Sequence, residues 1–114
     1  MFNKVVVANR GAVAARVLRA LKALGIKTVA VYSEADRDLP YLALADETHA
    51  IGDAEARASY LNQDAILAVL WRSGADGLHP GYGFLSENAG FATRVNAAGA
   101  RFIGPSPKWI DAMG

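Results

Sequence analysis

The chain has 114 residues, 53% hydrophobic and 20% charged, with 12 Lys and Arg against 11 Asp and Glu and no cysteine. Such a length suits one domain with its own core, and the composition is that of an ordered globular chain rather than a disordered one. A formal charge of +1 with no run of Lys or Arg argues against nucleic acid or an anionic membrane surface as partner, and the lack of cysteine excludes disulfide and thiolate chemistry within the chain.

Lys4-Val5-Val6-Val7-Ala8 is built on a continuous β-branched run and predicts a strand buried on both faces. Asn9-Arg10-Gly11 breaks it. From Ala12 to Leu24, Val13, Val17, Leu21 and Leu24 recur at helical spacing, with Ala14 and Leu18 widening the stripe and Gly25 as a stop. Thr28 to Tyr32 is a second strand, which makes the opening a parallel, right-handed crossover unit. Ser33 to Asp38 is polar and reads as a turn in which Asp36, Arg37 and Asp38 are solvated. Pro40 opens a short helix to Ala45, and Thr48 to Ile51 is a third strand. Asn62 caps a helix over Asp64 to Arg72, facing inward through Ile66, Val69 and Leu70. A fourth strand, Asp76-Gly77-Leu78, leads into His79. A helix then runs from Ala89 to Ala97, a fifth strand covers Arg101 to Ile103, and Ser106 with Pro107 starts a last helix. That helix has barely begun at Gly114, so the chain is expected to be a piece of a longer protein.

Alternation of strands and helices predicts a Rossmann-like α/β fold: a doubly wound parallel sheet of about five strands, order 3-2-1-4-5, with helices on both faces. Ligands of such sheets bind outside the carboxyl ends of the strands, where strand order reverses. The Asn9 turn, the Ser33–Asp38 stretch and the segment His79 to Asn88 all fall on that edge. The last, His-Pro-Gly-Tyr-Gly-Phe-Leu-Ser-Glu-Asn, is the densest concentration of chemistry in the chain. Gly81 and Gly83 flank Tyr82 and let the backbone come close to a ligand, while Pro80 stiffens the entry. Arg10 and Glu87 are expected to converge there with His79 and Tyr82. A dinucleotide site would need G-x-G-x-x-G after the first strand, and this turn has one glycine.

With these loops in place, Val7-Ala8-Asn9-Arg10-Gly11, Ala30 to Arg37, Ala45-Asp46-Glu47, Ser59-Tyr60-Leu61, His79 to Asn88 and Phe102-Ile103-Gly104-Pro105 resemble biotin carboxylases, in this order and at these spacings. The chain is similar over nearly its whole length to their N-terminal domain, which precedes the ATP-grasp domain. The resemblance implies an enzyme that uses ATP, Mg²⁺ and bicarbonate to carboxylate biotin on a carrier protein, through carboxyphosphate. It implies further partners: a downstream ATP-grasp domain, the biotin carboxyl carrier and a carboxyltransferase. Acetyl-CoA, propionyl-CoA, methylcrotonyl-CoA, pyruvate and urea carboxylases share this first domain. Nucleotide-gripping lysines and metal-binding carboxylates belong to later domains, so residues 1–114 are expected to be catalytically silent and to hold no metal or tightly bound ligand.

By the same resemblance the His79 loop is one wall of the site. His79, Tyr82, Gly83 and Glu87 are the candidate substrate-binding residues, Gly81 and Gly83 the candidate cofactor contacts, and Glu87 and Arg10 the candidate catalytic groups. Tyr82 and Gly83 are the strongest candidates for touching the bicyclic ring of biotin. His49 reads as structural, and Trp71 and Trp109 as packing residues. Two departures from the family stand out: Ala12 follows Asn-Arg-Gly where Glu is usual, and Ala23 replaces an acidic residue that helps relatives form a homodimer. Arg16 and Arg19 lose that partner, which weakens dimerisation as an inference. Rival readings are a non-catalytic docking or dimerisation module and a self-contained mononucleotide-binding domain. No apolar run approaches the ~20 residues of a membrane span, and no signal-peptide pattern opens the chain. The expected location is cytoplasmic, or the mitochondrial matrix in a eukaryote.

Overall fold

The apolar run at the start of the chain is the centre of the sheet. In the computed structural model, which describes residues 2–104, β1 (Lys4–Val7) pairs in parallel with β2 (Lys27–Ser33) on one side and β4 (Gly77–His79) on the other. β3 (Glu47–Gly52) lies outside β2 and β5 (Arg101–Phe102) outside β4, giving the order β3-β2-β1-β4-β5. This is the predicted topology. The helix expected from Ser106, with Trp109, lies outside the described residues.

Side chains of a strand alternate between faces, and β1 uses both. Val5 and Val7 pack with Ala14, Leu18 and Leu21 of α1 (Gly11–Ala23). Val6 packs on the opposite side, with Ile66, Val69 and Leu70 of α2 (Gln63–Ser73) and Phe91 and Val95 of α3 (Ala89–Ala97). A helix on each face is what keeps all three valines out of water.

The sheet-facing seam of α1 differs from the predicted stripe. Ala14, Ala15, Leu18 and Leu21 are buried, Val13 and Val17 lie at its margin, and Leu24 is exposed. A 3.6-residue period fits adjacent seams almost equally well, and the small alanines let the helix approach the sheet closely. Trp71 is likewise not a packing residue: it is 84% exposed on the outer side of α2. His49 Nε2 lies 3.5 Å from Glu47 Oε1, two residues earlier on β3, while Glu47 Oε2 accepts from Lys4 Nζ at 2.6 Å.

Candidate functional site

β1 and β4 are adjacent and in register at Val7 and His79, so the segments leaving their carboxyl ends emerge side by side. Asn9 joins them. Its side chain is 2% exposed, and Nδ2 donates to the Pro80 carbonyl at 2.8 Å and to the Tyr82 carbonyl at 2.6 Å. Asn9 Oδ1 accepts from the Arg10 N–H at 2.8 Å, which leaves the buried amide satisfied at both ends. Gly81 is required by this closeness. At its φ of +65° an added Cβ would lie 2.7 Å from Val13 Cγ1 and 2.8 Å from Asn9 Nδ2.

His79 acts within the loop. Its Nδ1 accepts from the Gly81 N–H at 3.1 Å, so in the neutral ring the proton sits on Nε2. Burial holds its pKa below the ordinary histidine value, in keeping with an acceptor role. Beyond it Tyr82 stands 71% exposed, and Gly83, at φ +70°, has open space where a side chain would project. Ser86 N–H returns to the Gly83 carbonyl at 2.9 Å, Leu85 is buried, and Asn88 Oδ1 caps α3 through the Phe91 N–H at 2.8 Å. Phe84 has φ +45° and is the non-glycine residue with positive φ among the described residues. Such a conformation costs about 1–2 kcal/mol. Its ring stacks on Tyr60 with centroids 5.1 Å apart, and a pair of this kind contributes about 0.5–1.5 kcal/mol, enough to offset much of that cost.

Arg10 reaches the same rim but turns to Asp36, not to Glu87. Nε and Nη2 donate to the two Asp36 carboxylate oxygens at 2.6 and 2.8 Å. Asp36 is therefore no solvated turn residue: it is 5% exposed and also accepts from the Tyr60 hydroxyl at 2.6 Å. The Arg10 hydrogen bonds hold the Asp36 carboxyl below its usual range, and Asp36 in turn helps hold the guanidinium protonated. The Tyr60 oxygen accepts from the Ser33 N–H at 3.0 Å. Tyr41, whose hydroxyl donates to the Val31 carbonyl at 2.7 Å, completes the cluster. Burial raises the pKa of both phenols, so they stay neutral. Glu87 is exposed, and no ion pair to it is found among the described residues. Sequence reasoning missed Asn9, Asp36 and Tyr60, whose partners are distant in the chain.

A family model described as "Biotin carboxylase, N-terminal domain" matches residues 1–110. The chain belongs to that family. It is 60% identical over 114 residues to the biotin carboxylase of Haemophilus influenzae, covering all of this chain and 25% of that protein. The biotin carboxylase domain dimer of Hydrogenobacter thermophilus 2-oxoglutarate carboxylase, solved with MgADP, ADP and bicarbonate, superposes with a TM-score of 0.94 at 47% identity, covering 100% of this chain and 25% of that one. K. lactis urea amidolyase gives a TM-score of 0.97 at 42% identity over 99% of this chain and 7% of that one. The chain thus spans about a quarter of the length of the curated biotin carboxylases it matches.

In this biotin carboxylase N-terminal domain, the rim carries an exposed aromatic ring beside a turn closed by a buried amide. Tyr82 offers that ring beside Gly83, over which no side chain stands. The β1–α1 turn is filled by the Asn9 side chain and offers no cradle of glycines to a pyrophosphate. Among the described residues no group of three or more His, Asp or Glu could hold a metal ion. No helix among them is long and apolar enough to cross a membrane.

Proposed function

We propose that residues 1–114 form one wall of the active site of a cytoplasmic, ATP-grasp biotin carboxylase, with the nucleotide and metal held by domains downstream. In the complete enzyme ATP, Mg²⁺ and bicarbonate supply the activated carboxyl group, and biotin on its carrier receives it at the ureido nitrogen. A carboxyltransferase domain or subunit then uses the product. The share of this chain is recognition. Tyr82 lays its ring against the bicyclic ring of biotin, and the Gly83 backbone lies close enough to meet it, because no side chain stands in the way. His79 and Gly81 hold the shape of the turn. Glu87 is the exposed carboxylate of the loop and its candidate acid or base, whereas Arg10 is committed to Asp36. A homodimer through the α1 face remains part of this reading, with Arg16 and Arg19 exposed there.

The single observation that supports this reading is the Tyr82–Gly83 edge, open to solvent on a loop otherwise tied down at Pro80, Tyr82, Gly83 and Leu85. The test is Tyr82→Ala in the full-length protein. Losing the ring contact is expected to raise KM for free biotin by about tenfold, roughly 1.4 kcal/mol of binding. Bicarbonate-dependent ATP cleavage without biotin should persist. Purified residues 1–114 alone should show no biotin-dependent ATP cleavage, and low-micromolar ATP binding to that piece would contradict the division of labour.

A further inference from the structure

Two side chains from separate parts of the chain grip the Tyr82 turn, one on each side of Gly83. Asn9 takes the Pro80 and Tyr82 carbonyls, and Tyr60 lays its ring on Phe84. The grips are linked. Tyr60 donates to Asp36, Asp36 binds the Arg10 guanidinium through both oxygens, and the Arg10 N–H is held by Asn9 Oδ1. This circuit begins and ends on the loop. It runs beneath the rim, where Asn9, Asp36 and Tyr60 are all buried and Tyr82 is exposed above them.

Packing alone does not call for such a circuit. A carboxylate and a phenol under the sheet edge are costly to desolvate and are tolerated only with every polar atom satisfied, a need that apolar residues of similar size would not have. What the polar circuit adds is direction. Arg10 meets Asp36 in a two-bond fork, which fixes the carboxylate plane, and the carboxylate fixes where the Tyr60 ring lies. Phe84, at positive φ, keeps its backbone conformation only while something outside the turn supports it.

Resting on the biotin reading above, we infer that Asn9, Asp36 and Tyr60 are positioning residues for the biotin ring, acting through Tyr82 and Gly83 without themselves reaching the ligand. They clamp the turn in the geometry the ring meets, so binding carries no cost of ordering it.

The test uses the full-length enzyme, free biotin, and the variants Asn9→Ala and Tyr60→Leu alone and combined with Tyr82→Ala. Each clamp variant is expected to raise KM for biotin by about five- to tenfold, while kcat and the biotin-independent ATP cleavage change by less than about twofold. In the Tyr82→Ala background Tyr60→Leu should raise KM by clearly less than it does alone, because the part of its effect that passes through the Tyr82 ring is already gone and only the part through Gly83 is left. Without any ligand, hydrogen exchange at the Ser86 and Asn88 amides should quicken in Tyr60→Leu while the α2 amides keep their protection. Should Tyr60→Leu not fold, Tyr60→Phe keeps the ring that stacks on Phe84 and removes the hydroxyl that donates to Asp36 and accepts from the Ser33 N–H, with a KM rise of about threefold expected. A raised KM in Tyr82→Ala beside unchanged KM in the clamp variants overturns the inference alone. So does a Tyr60→Leu effect that multiplies fully in the Tyr82→Ala background, or unaltered loop exchange. An unchanged KM in Tyr82→Ala overturns the biotin reading itself, and the inference with it.

Discussion

His79 carries a pH dependence whose sign follows from its surroundings. Its Nδ1 must be unprotonated to accept the Gly81 N–H, and burial lowers its pKa below the ordinary 6.5. The unfolded chain therefore binds a proton more readily than the folded one. The stability this group contributes is complete above about pH 6.5 and is lost as pH falls from there through the lower folded value. Urea unfolding from about pH 7.5 to pH 5 should show falling stability. His79→Asn, whose side-chain oxygen can accept the same N–H without titrating, should flatten that fall. Asp36 follows the same direction at lower pH: its folded pKa lies below the usual 3.8, so its pairing with Arg10 holds above that value and fails only in stronger acid. The two groups are thus separable by the pH at which each effect begins.

At the scale of the element, the helices differ in how their first turns are satisfied. α2 and α3 have Asn62 and Asn88 as caps, each accepting a backbone N–H three residues on. α1 starts from Arg10 with no side-chain cap and no acidic residue in its first turn. Ala12 stands in that first turn. Ala12→Glu should stabilise the chain by about 0.3–1 kcal/mol through the helix dipole, read as a higher urea midpoint at unchanged slope. A gain near zero would mean that solvent already screens the charge of that end. Asn9, Asn62 and Asn88 share one property: a short amide whose oxygen accepts a nearby backbone N–H. Of these three, Asn9 also reaches a distant loop, through its Nδ2.

For the whole molecule, the sheet keeps a core on each face, and the two are fed by alternate residues of the same strands. Phe91 is fully buried on the α2–α3 side, edge-on to Phe102 at 6.1 Å. Phe91→Ala is expected to cost about 3–5 kcal/mol. A domain of this size holds only about 5–15 kcal/mol in all, so one such cavity takes about a fifth of it or more. Equilibrium denaturation checks the figure, and a loss below about 1.5 kcal/mol would mean that the face collapses around the gap.

The alternation of β-branched runs with amphipathic stretches was legible because each element's period is a local property. From it followed a parallel sheet, and with the common strand order of such sheets, which the structure has, the edge on which the Asn9 and His79 segments meet. The seam of α1 was less legible, since neighbouring faces of one helix satisfy the same spacing and only contact with the sheet chooses between them. The loop's composition marked Tyr82 and Gly83 as candidates, and the fold leaves both exposed on the expected rim. Its internal wiring was hidden. Asn9 with Pro80, Arg10 with Asp36, and Tyr60 with Phe84 are pairs separated by 24 to 71 residues or joined only across the top of the sheet. Periodicity along the chain determined which segments become strands and helices, because burying an apolar stripe is decided within a few residues. Which charge Arg10 meets, and what holds the Tyr82 turn, was decided by the folded structure, because a hydrogen bond is specified by position in space and not by order in the chain.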